Sequence, residues 1–253
     1  MTFSMIGRCP ESGAVGAAIT TSDLAVGNRC VHLVHGRGAV LSQHRTDPRL
    51  GILGADLLHR GLEAEAVLDE IVAATPDIGW RQVGVLDARG HWAVHHGDRM
   101  YSIYTHSAGP ECLALGNILA NDGVTDAMVA GFSAAAGLPL AARLLRGLEA
   151  GLAAGGEIHG PLKSAALQVT GAEDIPQCDL RIDISAGCAV ADLRALYEAY
   201  APRAAALRRV ALTPDDVPVN RGLFEASLDR IDDLGLADRF PARRNRAGWQ
   251  VAD

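Results

Sequence analysis

Hydrophobic and polar positions change period along this chain in a repeating order. Thr2 to Arg8 and Ala14 to Thr21 are short runs with no helical stripe. Pro10-Glu11-Ser12-Gly13 separates them, with proline presetting one turn φ and glycine accepting a positive one. The pattern predicts a β-hairpin. Val26 to Val34 and Gly38 to Gln43 predict a second pair of strands, broken at Gly36-Arg37-Gly38. The period then becomes helical. Leu50, Leu53, Leu57 and Leu58 follow Thr46-Asp47-Pro48, a capping side chain with proline at the first turn. Gly61 ends that run. A further helix spans about Leu62 to Ala74, with Leu68, Ile71 and Val72 inside, and stops at Thr75-Pro76-Asp77.

The same sequence of patterns recurs. Arg81 to Leu86 and His91 to His96 predict a hairpin around Asp87-Ala88-Arg89-Gly90. Glu111 to Ala120 is apolar apart from Gly116-Asn117, and an amide in such a setting must be hydrogen-bonded. Asp122 to Ala136 and Leu138 to Ala154 predict two helices, the second striped by Leu140, Leu144, Leu145 and Leu148. Strands follow at Lys163 to Thr170 and Asp179 to Ser185. The latter alternates, with Leu180, Ile182 and Ile184 on one face and Arg181 and Asp183 on the other. Val190 to Leu207 predicts a helix. Beyond Ala211 a linker, a helix near Leu223 to Leu234 and a tail with Arg243, Arg244 and Arg246 are too short for a separate core. The domain boundary is therefore set at 208, with residues 209–253 packing on the domain or on a partner subunit, which makes a homo-oligomer the expectation.

Strands come in runs and helices in pairs. This order predicts an α+β fold with antiparallel sheets rather than a doubly wound parallel sheet. Two sheets packed together and flanked by helices would cover every apolar face.

Composition narrows the function classes. The chain is 49% hydrophobic and 21% charged, with a net charge of −7. One basic residue is lysine, Lys163, and the other 22 are arginine. No basic stripe suits nucleic acid. No apolar run approaches the ~20 residues that span a bilayer, and no signal-peptide core leads the chain; the cytoplasm is the expected location. Cys9, Cys30, Cys112, Cys178 and Cys188 are scattered, and free thiols are expected. His91 and His95 share a strand face, and His106 is the third residue a metal site would need, but a solvated strand edge accounts for them as well. The sequence implies neither metal nor cofactor.

The hairpin carries the candidate chemistry. Its returning end, Thr20-Thr21-Ser22-Asp23, is expected beside Thr2. An initiator methionine before a small residue is usually removed. Thr2 would then carry a hydroxyl and an α-amine with a pKa of roughly 7.7–8.0, a nucleophile with its own base. With Met1 retained, that base is missing.

Thr2-Phe-Ser-Met-Ile-Gly-Arg8, the Pro-Glu-Ser-Gly turn, Gly38-Ala-Val-Leu-Ser-Gln43, Thr46-Asp-Pro48, Arg81-Gln-Val-Gly-Val-Leu-Asp87, Leu115-Gly-Asn-Ile-Leu119 and Ser164-Ala-Ala-Leu167 together resemble a bacterial domain-of-unknown-function family, number ten-twenty-eight, assigned to the N-terminal-nucleophile (Ntn) hydrolases. The likeness runs from Thr2 to about Leu207. It implies a four-layer αββα sandwich and amide hydrolysis of a small-molecule or peptide substrate through an acyl-enzyme on Thr2. Asn117 is then the expected oxyanion donor. Ser22 is placed to tune the amine, and Gln43, Thr46 and Asp47 to bind substrate. The chain departs from the family at Arg45, often aromatic there, at Asp47 for asparagine, at Ile184-Ser185 for Asp-His and at Leu162-Lys163 for Arg-Gln. The alternative is a non-catalytic small-molecule binding module on the same scaffold.

Overall fold

The computed structural model describes residues 1–171, 173, 175–240 and 250–252. The chain divides into two units, Met1–Ala199 and Tyr200–Asp253. In the first unit, β1 (Thr2–Arg8) pairs antiparallel with β2 (Val15–Thr21), with Phe3 opposite Thr20. β3 (Val31–Val34) and β4 (Gly38–Gln43) form the second hairpin. Then come α1 (Pro48–His59), α2 (Ala64–Ala74), β5 (Gln82–Asp87) and β6 (Trp92–His96). β7 (Tyr104–Gly109), β8 (Cys112–Asn117), α3 (Val124–Ala134) and α4 (Leu140–Ala153) follow. β9 (Ser164–Thr170) and β10 (Pro176–Ile182) come next, and then α5 (Ala189–Leu212), which begins in the first unit and ends in the second.

The strands make two antiparallel sheets, in the orders β10-β9-β2-β1-β8-β7 and β3-β4-β5-β6. The sheets face each other, with α1 and α2 covering the smaller and α3 and α4 the larger. This is the expected α+β sandwich of four layers. The second unit holds α6 (Arg221–Asp233) and a parallel pair, β11 (Val219–Asn220) with β12 (Val251–Ala252). Arg243, Arg244 and Arg246 lie outside the described residues.

Period-2 alternation explains the layers. On β1, Phe3 and Met5 reach α4, where Gly151 and Gly147 leave room for them; a Cβ on Gly147 would overlap the Met5 sulfur. Ser4 and Ile6 face the other sheet. The inter-sheet core joins Ile6, Val15, Ile19, Leu113 and Leu115 to Ala39, Leu41 and Leu86. Gly84 permits the close approach there, since its Cβ would strike Leu115. Outside the smaller sheet, Val40, Val83 and Val85 meet Leu50, Leu57, Leu58, Val67 and Ile71 of α1 and α2. Each fully buried Leu or Ile of this kind contributes about 1.5–3 kcal/mol.

Three local expectations are corrected. Val26–Asn28 is a 3-10 turn, not the start of a strand, and β3 begins only at Val31. β10 ends at Ile182, which leaves Ile184 exposed instead of on an apolar face. β7 is an additional edge strand; its polar, half-exposed residues give no alternating apolar pattern.

Candidate functional site

The inner faces of the two sheets are apolar along most of their length and polar at one end. β1 brings Ser4, β4 brings Gln43, β5 brings Gln82 and β8 brings Asn117, all with no exposed surface. Burying four such groups is costly unless they satisfy one another. Ser4 Oγ donates to Gln43 Oε1 at 2.7 Å. Gln43 Nε2 and Asn117 Nδ2 both donate to Gln82 Oε1, at 2.6 and 3.0 Å. Gln82 Nε2 donates to the Gly116 carbonyl at 2.9 Å and lies 3.0 Å from His96 Nδ1. A carbonyl only accepts, so the orientation of Gln82 is fixed, and His96 Nδ1 must accept too. His96 Nε2 then donates to His106 Nδ1, 2.9 Å away. Burial, reinforced by the neighbouring imidazoles of His106 and His95, lowers the His96 pKa to about 4.

Thr2 stands directly across the ladder from Asn117. Its hydroxyl and that of Thr21 both donate to the Met1 carbonyl, and the two hydroxyl oxygens are 3.4 Å apart. Ser22 Oγ lies 3.7 Å from the Met1 sulfur, and its N–H donates to Glu157 Oε2 at 3.2 Å. Glu157 is delivered by a reversal at Gly155 and Gly156, both with positive φ, which pairs residue 157 with Leu119. Burial pushes the Glu157 carboxyl up to about 7, while Ser22 and the N-terminal ammonium act in the opposite direction. Two buried acceptors here have no protein partner, Asn117 Oδ1 and Glu157 Oε1.

His44 forms the next wall. Its Nδ1 lies 2.7 Å from the Trp80 carbonyl, its ring meets Tyr101 edge-on, and Nε2 is buried without a partner. Burial lowers its pKa, the Trp80 carbonyl opposes this, and the charge at the chain N-terminus also reaches the ring.

Thr2, Ser22 and Asn117 therefore come together, and Gln43 joins Asn117 through Gln82. Thr46 and Asp47 follow His44 and lie outside this amide network. Thr46 Oγ1 is 3.4 Å from Cys30 Sγ. Asp47 caps α1 through the Arg49 N–H at 3.0 Å and holds the Arg49 guanidinium at 2.6 Å. That guanidinium lowers the Asp47 pKa to about 2. His106 meets His96, not His91 or His95, and among the described residues no three His, Cys, Asp or Glu side chains group as metal ligands. Sequence patterns had not pointed to Gln82, His96, Glu157 or His44. Gln82 carried a usable clue, a polar amide on the inward face of an otherwise apolar strand.

By its fold the first unit is a four-layer α+β sandwich with a polar niche at the N-terminal end of a central strand. More narrowly, residues 2–193 match the family of unknown function DUF1028, and the chain belongs to that family. Among solved structures it is similar to protein SPO2555 from Silicibacter pomeroyi, described with the same family. The identity is 28% and the TM-score 0.73, over 79% of this chain and 85% of that one. No curated protein matches.

Proposed function

We propose that the niche hydrolyses a small amide or peptide with Thr2 as an N-terminal nucleophile, in the manner of the Ntn hydrolases. One observation carries this. The Met1–Thr2 peptide unit is gathered by the Thr2 and Thr21 hydroxyls, beside two buried acceptors that lack partners. Removal of Met1 turns the Thr2 nitrogen into an amine, whose hydrogens those acceptors suit. The Thr2 hydroxyl proton passes to this amine as Oγ bonds to the substrate carbonyl carbon. Asn117 Nδ2 uses one N–H on Gln82 and keeps the other for the oxyanion. The ammonium proton then goes to the leaving amine as the C–N bond breaks, which leaves an ester on Thr2. Water, deprotonated by the same amine, releases the acid. A donor such as Asn117 contributes about 3–4 kcal/mol to such a step.

The test is the intact mass of untagged protein from its own start codon, followed by an amide screen against a Thr2→Ala control. Loss of one methionine, with turnover absent in the control, supports the proposal. A retained methionine with no turnover overturns it. The second reading, a small-molecule binding module, is favoured by one feature: with Met1 in place its carbonyl occupies both hydroxyls, and the Thr2 nitrogen is not a base.

A further inference from the structure

Next to the niche lies a pocket of about 480 Å³ lined by Arg45, Thr46, Asp77, Trp80 and Arg81. The size falls within the usual range for small-molecule sites. Arg45 follows His44, and both have left-handed backbones, with φ 45° and 54°. Two consecutive non-glycine residues in that region are costly, and such strain concentrates at functional sites. The Arg45 guanidinium lies over Trp80, 4.1 Å from the ring centroid, and Arg99 approaches the same ring at 5.8 Å. Stacking of this kind orients a guanidinium without using its N–H donors. Arg81 pairs with Asp77 and donates to the Arg45 carbonyl, which leaves its Nε buried and without a partner.

The charges in this corner do not cancel. The lining carries two guanidinium groups, Arg45 and Arg81, and one carboxylate, Asp77, which pairs with Arg81. Asp47 is already matched by Arg49. One positive charge is left over in a chain whose net charge is −7. His44 touches the pocket wall through the Trp80 carbonyl, and the Met1 ammonium is among the charges that lower the pKa of the same ring.

We infer that this pocket holds the carboxylate of a monoanionic substrate, with Arg45 as the adjustable donor and Trp80 as its platform, while the scissile amide is presented at Thr2. The inference rests on the reading of Thr2 as the nucleophile. A dianion such as phosphate is disfavoured, since Asp77 balances one of the two lining guanidinium groups. Arg49, the other arginine of this loop, is excluded by its bidentate grip on Asp47.

The experiment reads binding, not turnover. The full-length Thr2→Ala chain is titrated with N-acetylglycine and, separately, with its neutral isostere N-acetylglycinamide, following the arginine Nε–Hε resonances by NMR. The expected result is a saturable shift of Arg45 and Arg81 with the acid alone, weakened by added salt. Arg45→Ala lowers that affinity by about tenfold, in line with the loss of a charge-assisted hydrogen bond. Arg60→Ala, remote and exposed, leaves it unchanged. Equal response to both probes, or to neither, overturns the inference, as does phosphate binding tighter than N-acetylglycine. Acid binding without any hydrolysis by the wild-type chain would retain the pocket and reject the Thr2 mechanism. Hydrolysis of neutral amides without acid binding would do the reverse.

Discussion

Replacing Glu157 with glutamine tests the electrostatics of the niche most directly. The carboxyl is held up at about 7, from an ordinary 4.5, chiefly because it is buried. Below about 4.5 the folded and unfolded chains both keep the proton, and the residue has no effect on stability. Between about 4.5 and 7 the unfolded chain ionises while the folded one does not. The folded state therefore binds more protons in this window, and stability falls as pH rises. Above 7 both are ionised and the full penalty is in place. A displacement of this size corresponds to about 3 kcal/mol, or about 2 kcal/mol once screening of the partly exposed side chain is allowed for. Glutamine keeps a carbonyl oxygen for the Ser22 N–H and carries no charge at any pH. Urea unfolding, followed by tryptophan fluorescence from pH 4 to pH 8.5, should show Glu157→Gln close to wild type at pH 4 and more stable by about 2–3 kcal/mol at pH 8. His96 acts with the opposite sign. Its folded pKa of about 4 lies below the ordinary 6.5, so its contribution is lost as pH falls through that range. That term is common to both chains and cancels in their difference. A stability difference that is flat with pH, or that favours wild type at pH 8, refutes the assignment.

Three further outcomes follow from the same geometry. Gln82→Leu strands the Gly116 carbonyl and the amide nitrogens of Gln43 and Asn117, and chemical denaturation should register a loss of about 3 kcal/mol or more. His96 should carry its proton on Nε2 and stay neutral at pH 5, which long-range ¹H–¹⁵N NMR reads directly; an Nδ1–H form would contradict the donor assignment at Gln82. Asp47→Ala removes the cap of α1 and should cost about 1 kcal/mol near pH 7. Because the Asp47 pKa is depressed to about 2, that contribution is present above about 3.8 and fades as pH falls through 2, so thermal melts of the two chains should converge in strong acid.

The sequence was most legible where period and punctuation agreed. The Pro10–Gly13 turn between two short strands, the Asp47-Pro48 helix start and the leucine stripe of α4 each follow from local rules, and each stands where those rules put it. Thr2 beside Thr21 and Ser22 was readable for the same reason, since a tight hairpin fixes its own register. Glu157 was not readable. It follows a pair of glycines, has no periodic neighbours, and reaches Ser22 only through a chain reversal. Gln82 and Gln43 are 39 residues apart in sequence, and nothing local shows that two strands of one sheet will present both amides to Asn117 of the other. β10 shifted because Ile184 and Ser185 continue an alternating pattern after the pairing with β9 has ended.

The placement of polar groups between the sheets is itself informative. Leu41, Leu86, Leu113 and Leu115 would be matched more cheaply by further aliphatic residues than by two glutamines, an asparagine and a serine. The amide network is instead almost fully satisfied in its interior, and its open valence, Asn117 Oδ1, falls on the residue paired with Thr2. The second open valence nearby, Glu157 Oε1, belongs to the group whose charge responds to the chain N-terminus. A network built for stability alone would leave its loose ends toward water or close them with one more hydroxyl. Here the interior amides fix the Asn117 side chain and leave its acceptor, Oδ1, open on the residue paired with Thr2; under the proposed mechanism that oxygen receives a hydrogen of the Thr2 amine, while the second Nδ2 hydrogen serves the oxyanion.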